Sequence, residues 1–130
     1  MSEKIVDFSL KHKGSSYSRN AQDQLVSVTN WETEGDNDVY GTVWGSITFL
    51  QDIADANADG GTCSWAGEGF LPDGSKVIGF QEGTWEKSGN QKWKLVMEGE
   101  DSSVWKVRTE SEIELELSTL TWEGTVYSRD

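Results

Sequence analysis

Apolar residues recur at every second position along most of this chain, and convincing helical periodicity is hard to find. Residues 4–12 place Val6, Phe8 and Leu10 on one face, with Asp7, Ser9 and Lys11 on the other. A second strand is expected over 24–31. A third is expected over 38–51, with Val39, Val43, Ile47 and Phe49 in phase and Gly41 and Gly45 between them, where glycines mark bends in a curved sheet. Residues 62–70 form a fourth candidate, and the turn Pro72-Asp73-Gly74 leads to a fifth over 76–86. After Ser88-Gly89-Asn90, residues 91–100 alternate Trp93, Leu95 and Met97 against Lys92, Lys94 and Glu98.

The clearest strand spans 104–117. Trp105, Val107, Thr109, Ser111, Ile113 and Leu115 share one face, and Lys106, Arg108 and the ladder Glu110, Glu112, Glu114 and Glu116 share the other. A turn near Ser118-Thr119 then leads into Leu120, Trp122, Gly124 and Val126. About eight strands joined by short turns predict an antiparallel meander. An open sheet of that size leaves two edges, which closure removes. The expected fold is therefore all-β, a single antiparallel up-and-down barrel occupying 1–130 as one domain, with a two-sheet sandwich as its competitor. The fragments Gly41-Thr42-Val43-Trp44, Gly83-Thr84-Trp85 and Trp122-Glu123-Gly124-Thr125 recur at irregular spacing, which does not support a propeller or solenoid.

Composition narrows the function. The 130 residues carry 23 Asp plus Glu against 11 Lys plus Arg, a formal charge of -12. That balance argues against nucleic acid and anionic membranes as partners, since both require cationic patches. One cysteine, Cys63, permits no intrachain disulfide, and with one histidine it disfavours zinc. The N-terminal residues have no basic region followed by an unbroken apolar core, so no secretory signal is expected and a soluble cytoplasmic protein is. No Walker or Rossmann fingerprint is present, and no cofactor is expected.

The Gly- and Trp-rich strand plan resembles the small calycin-like and allene-oxide-cyclase-like barrels, over nearly the whole chain but without a diagnostic motif. The Gly-x-Trp signature of lipocalin first strands is matched by Gly83-Thr84-Trp85, in a middle strand. The resemblance implies binding of an apolar or amphipathic small molecule in the lumen, with cyclisation chemistry in a few members.

Candidate chemistry is sparse, and no catalytic residue can be assigned. The sequence Asp55-Ala56-Asn57-Ala58-Asp59-Gly60 matches the opening of a calcium loop, but the twelfth position, which needs a bidentate acid, is Ala66. The polar-loop reading is preferred and no metal is expected. His12 could serve as a general base, but its position before Lys13-Gly14-Ser15-Ser16 at the expected strand end favours a surface role. Glu68 and Glu82 could orient a ligand if they face inward, although exposed acids are commoner.

The seven tryptophans are the most informative set, suited either to filling a barrel or to lining a pocket for a flat ligand. The expected ligand-binding residues are Trp93, Met97, Trp105, Val107, Thr109 and Trp122, with Trp44, Trp65 and Glu68, and Ser111 as a further orienting group. The expected function is binding of a small apolar or aromatic molecule in the lumen, with cyclase or isomerase activity as an extension. The alternatives are an acidic protein-interaction or inhibitor module without pocket chemistry, and carbohydrate binding by coplanar exposed tryptophans. A homodimer through an outward apolar strip is compatible with the pattern.

Overall fold

In the computed structural model, which describes residues 3–35 and 37–129, eight antiparallel strands close on themselves in sequence order. They are β1 (Lys4–Arg19), β2 (Gln24–Thr33), β3 (Thr42–Asp52), β4 (Gly60–Phe70), β5 (Lys76–Gly89), β6 (Lys92–Asp101), β7 (Trp105–Glu116) and β8 (Thr119–Ser128). Met1 and Ser2, part of the N-terminal pattern, lie outside the described residues. Closure is made by β1 and β8, whose register runs from Lys4 opposite Tyr127 to Lys11 opposite Thr121. The barrel expected from the meander is thus the observed fold, and its architecture fits the calycin-like plan. Among the described residues, no helix is long and apolar enough to cross a membrane.

Two strand boundaries differ from the pattern. β1 continues to Arg19, because a bulge between His12 and Gly14 resets the register instead of ending the strand. His12 therefore lies mid-strand, with its Nε2 2.6 Å from Ser15 Oγ and its ring edge-on to Trp31. At β3 the error is opposite. Val39 and Tyr40 continue the apolar pattern, yet they belong to the 34–41 connecting segment, described at residues 34, 35 and 37–41, whose Asn37 and Tyr40 border the open end of the barrel. Asn37 closes that segment. Its backbone exchanges both hydrogen bonds with Gly41, and its Oδ1 accepts from the Val39 and Tyr40 amides at 2.9 Å. Gly41 takes φ +70°, and a Cβ there would strike the Phe70 carbonyl oxygen, so only glycine fits.

Inward-facing residues fill one half of the lumen. Trp31, Ile47, Cys63, Leu95, Met97, Ile113 and Trp122 form a continuous buried cluster, with Phe49, Trp85, Trp93 and Leu120 packed against it. This plugs the end that carries the β1–β2, β3–β4, β5–β6 and β7–β8 turns. Burial pushes the Cys63 thiol up to about 12. Cys63 should therefore resist a disulfide-exchange reagent in the folded protein and react only at the rate of unfolding; rapid labelling of native protein would contradict this packing.

Candidate functional site

At the opposite end the filling stops short. There the barrel encloses a mainly apolar cavity of about 90 Å³ that opens at the rim. Its walls include Phe8, Leu10, Val43, Trp65, Val77, Trp122 and Val126, and Tyr40 and Asn37 of the 34–41 segment border it. The space exists because small residues occupy inward positions on β4 and β5. Gly67, Gly69 and Gly79 line it, and the Trp65 indole lies across Gly45 and Gly67, where a Cβ on either would collide with the ring.

Trp122 is the hub of the aromatic wall. Its ring centroid lies 4.8 Å from Phe8, 5.1 Å from Trp65 and 5.7 Å from Trp31. Trp31 satisfies its own indole N–H by donating to Thr29 Oγ1 at 2.8 Å, and that hydroxyl in turn donates to the Ile47 carbonyl. Trp122 does not: its Nε1 is buried without a hydrogen-bond partner. An unpaired buried donor costs about 1–3 kcal/mol. The Trp85 Nε1 is also unpaired, but Trp85 packs in the plugged half and does not border the cavity.

Further polar groups border the space, Thr109, Gln81 and Asp101 among them. Thr109 Oγ1 donates to Gln81 Oε1 at 3.0 Å, which orients the Gln81 amide at the cavity wall. Asp101 is buried, with both oxygens engaged: Oδ1 accepts from the Ser103 and Val104 amides at 2.8 and 2.6 Å, and Oδ2 accepts from the Tyr40 hydroxyl at 2.8 Å. Burial first, then the hydrogen bond and charge of Asp101, hold the Tyr40 phenol above its ordinary value, so it stays a neutral donor. Asp101 thus caps the β6–β7 turn and ties the 34–41 segment to the rim.

The residues expected from sequence are dispersed by this geometry. Trp65, Thr109 and Trp122 line the cavity together. Glu68 borders it, but its carboxylate is held by Lys76 at 3.3 Å and is substantially exposed. Met97 and Val107 are buried away from the cavity lining, Trp93 packs in the plugged half, and Ser111 donates weakly to the Leu95 carbonyl at 3.4 Å.

Trp44 and Trp105 correct the expectation. Trp44 lies on the outer face, 44% exposed. Trp105 is 64% exposed and has φ +85°, which takes it out of the alternation that Val107 and Thr109 continue. Gln81, Tyr40 and Asp101 were not anticipated. Gln81 could have been found from its inward phase between Gly79 and Gly83, whereas Tyr40 and Asp101 read as strand and turn.

In the Asp55–Gly60 stretch, Ile53–Asp55 forms a 3-10 turn, and Gln51 Nε2 donates to the Ala56 carbonyl at 2.7 Å. No group of three or more His, Cys, Asp or Glu side chains among the described residues is placed to hold a metal ion.

No protein-family model, curated protein or solved structure matches this chain, so its functional reading rests on the site itself.

Proposed function

We propose that the cavity binds a small apolar or aromatic molecule, about one ring in size, that carries a hydrogen-bond acceptor. The observation that carries this reading is the mainly apolar, aromatic-walled cavity bordered by Trp122, whose buried indole N–H has no hydrogen-bond partner. An acceptor on the guest relieves that cost, while ring and aliphatic surface supply the rest of the affinity. Size limits the guest. An apolar cavity of about 150 Å³ holds benzene, so a single ring here extends from the 90 Å³ space into the open rim. Gln81 and Thr109 orient a second polar atom. The resemblance to calycin-like barrels, which hold apolar guests in the lumen, supports the same reading.

A cyclase or isomerase role draws less support. The buried carboxylate beside the cavity, Asp101, is consumed by three hydrogen bonds, and His12 does not border the space.

Acetophenone and ethylbenzene, similar in shape but differing in a carbonyl, give the test by calorimetric titration. Acetophenone should bind about 5- to 10-fold more tightly, the worth of one ordinary hydrogen bond. Trp122→Phe should abolish that preference while leaving ethylbenzene little changed. Failure of both compounds to bind up to their solubility, or a preference that survives in Trp122→Phe, defeats the reading.

A further inference from the structure

The outer face of β3, β4 and β5 carries an apolar surface that the folded chain leaves uncovered. Phe80 is 65% exposed, and Trp44, Ile78 and Phe70 are also exposed. Register brings them together. Trp44 pairs with Glu68 and Glu68 with Ile78, while one step along the strands Ser46 pairs with Ala66 and Ala66 with Phe80. The small residues Ser46 and Ala66 floor a shallow groove between Trp44 and Phe80. Beyond Phe80 the groove continues past Glu82, Glu98 and Glu100.

Two observations specify what fits. Closure of the barrel leaves no free strand edge, so a partner cannot join by backbone pairing and must be held through side chains. The acidic end is also under-neutralised. Glu82 and Glu98 stand directly opposite each other on β5 and β6, an arrangement that repels. Arg129 is divided between Glu100 at 2.9 Å and Glu98 at 3.9 Å, Arg108 opposite Glu98 on β7 is paired with Glu110, and among the described residues no ion pair forms to Glu82. A cation from a partner relieves this repulsion. A second copy of the chain, itself at -12, brings further negative charge instead.

We infer that this groove docks a basic amphipathic segment of another protein, with an apolar anchor against Trp44, Ile78 and Phe80 and a Lys or Arg at Glu82 and Glu98. Glu68, Ile78, Phe80 and Glu100 also border the cavity, so the two sites are told apart by a peptide probe far too large for a space of about 90 Å³.

The probe is a short amphipathic peptide of leucine and lysine, compared with its leucine–glutamate counterpart by fluorescence anisotropy at low and at physiological salt. The lysine peptide should bind and the glutamate peptide should not, with binding weakened by salt. Phe80→Ser and Glu82→Ala should each weaken it roughly tenfold or more. Tyr17→Ser, at a residue 66% exposed in the second half of β1, should leave it unchanged. Equal binding by Phe80→Ser and the native chain would mean diffuse charge attraction and overturn the inference, as would no binding at low salt. Sedimentation of the protein alone provides a further arm: it should stay monomeric, and a dimer that Phe80→Ser dissolves would give the groove to a second copy and refute a basic partner.

Discussion

Gly99→Val should unfold the barrel or cost at least about 4 kcal/mol of stability, far beyond the usual effect of a strand substitution. Gly99 lies on β6 opposite Gln81, and a Cβ there would run into the Phe80 carbonyl oxygen of the neighbouring strand. The same holds at Gly83 on β5, whose Cβ would meet the Val96 carbonyl oxygen. In both cases the obstacle is backbone within a hydrogen-bonded ladder, which cannot step aside as a flexible side chain can. The two glycines therefore let β5 and β6 bend tightly as the sheet curls into a closed ring. Thr84→Val, at an exposed position on the neighbouring β5, should change stability by no more than about 0.5 kcal/mol. Urea unfolding of the three proteins decides it, and a Gly99→Val chain as stable as Thr84→Val would mean the strands do not approach as described.

Asp101→Ala should cost about 3 kcal/mol, because it unpairs three donors at once: the Ser103 and Val104 amides and the Tyr40 hydroxyl. Asp101→Asn keeps an acceptor for the turn amides and offers an N–H to the phenol oxygen, so its loss should be nearer 1 kcal/mol. The two variants also report on the cavity mouth. Without the Tyr40 anchor, the 34–41 segment is held chiefly by Asn37, and hydrogen exchange at the Val39 and Tyr40 amides should speed up in Asp101→Ala more than in Asp101→Asn. An Asp101→Ala protein with native stability and native exchange at these amides would show that the carboxylate is not the tie.

The strands that could be read from sequence are those with one polar and one apolar face. β6 and β7 alternate lysines and glutamates against Trp93, Leu95, Met97, Val107 and Ile113, and their bounds lie within a residue or two of expectation. Ring closure was legible from the problem of exposed edges, without any local signal. The cavity was not legible, because it is made by what is missing: Gly67, Gly69 and Gly79 sit at inward positions where alternation expects bulk. Glycine carries no hydropathy signal, so the same residues that open the space hid the inward phase of β4 and β5.

Trp44 and Trp105 went astray for a related reason. From sequence, both count among the expected pocket-lining tryptophans. Register instead puts Trp44 beside Glu32 and Glu68 on the outer face, and a positive φ carries Trp105 out of phase. The 34–41 segment shows the limit of periodicity itself. Tyr40 borders the cavity mouth, and a rim segment and a strand leave the same trace in a short window.

The indole N–H of Trp122 is directly observable in a nitrogen–proton correlation spectrum. On addition of acetophenone, the Trp122 indole resonance should move farthest and downfield as it acquires an acceptor, while those of the outward Trp44 and Trp105 stay in place. A Trp122 indole signal that does not move under saturating acetophenone, or movement confined to Trp44 and Trp105, would contradict a guest site inside the barrel.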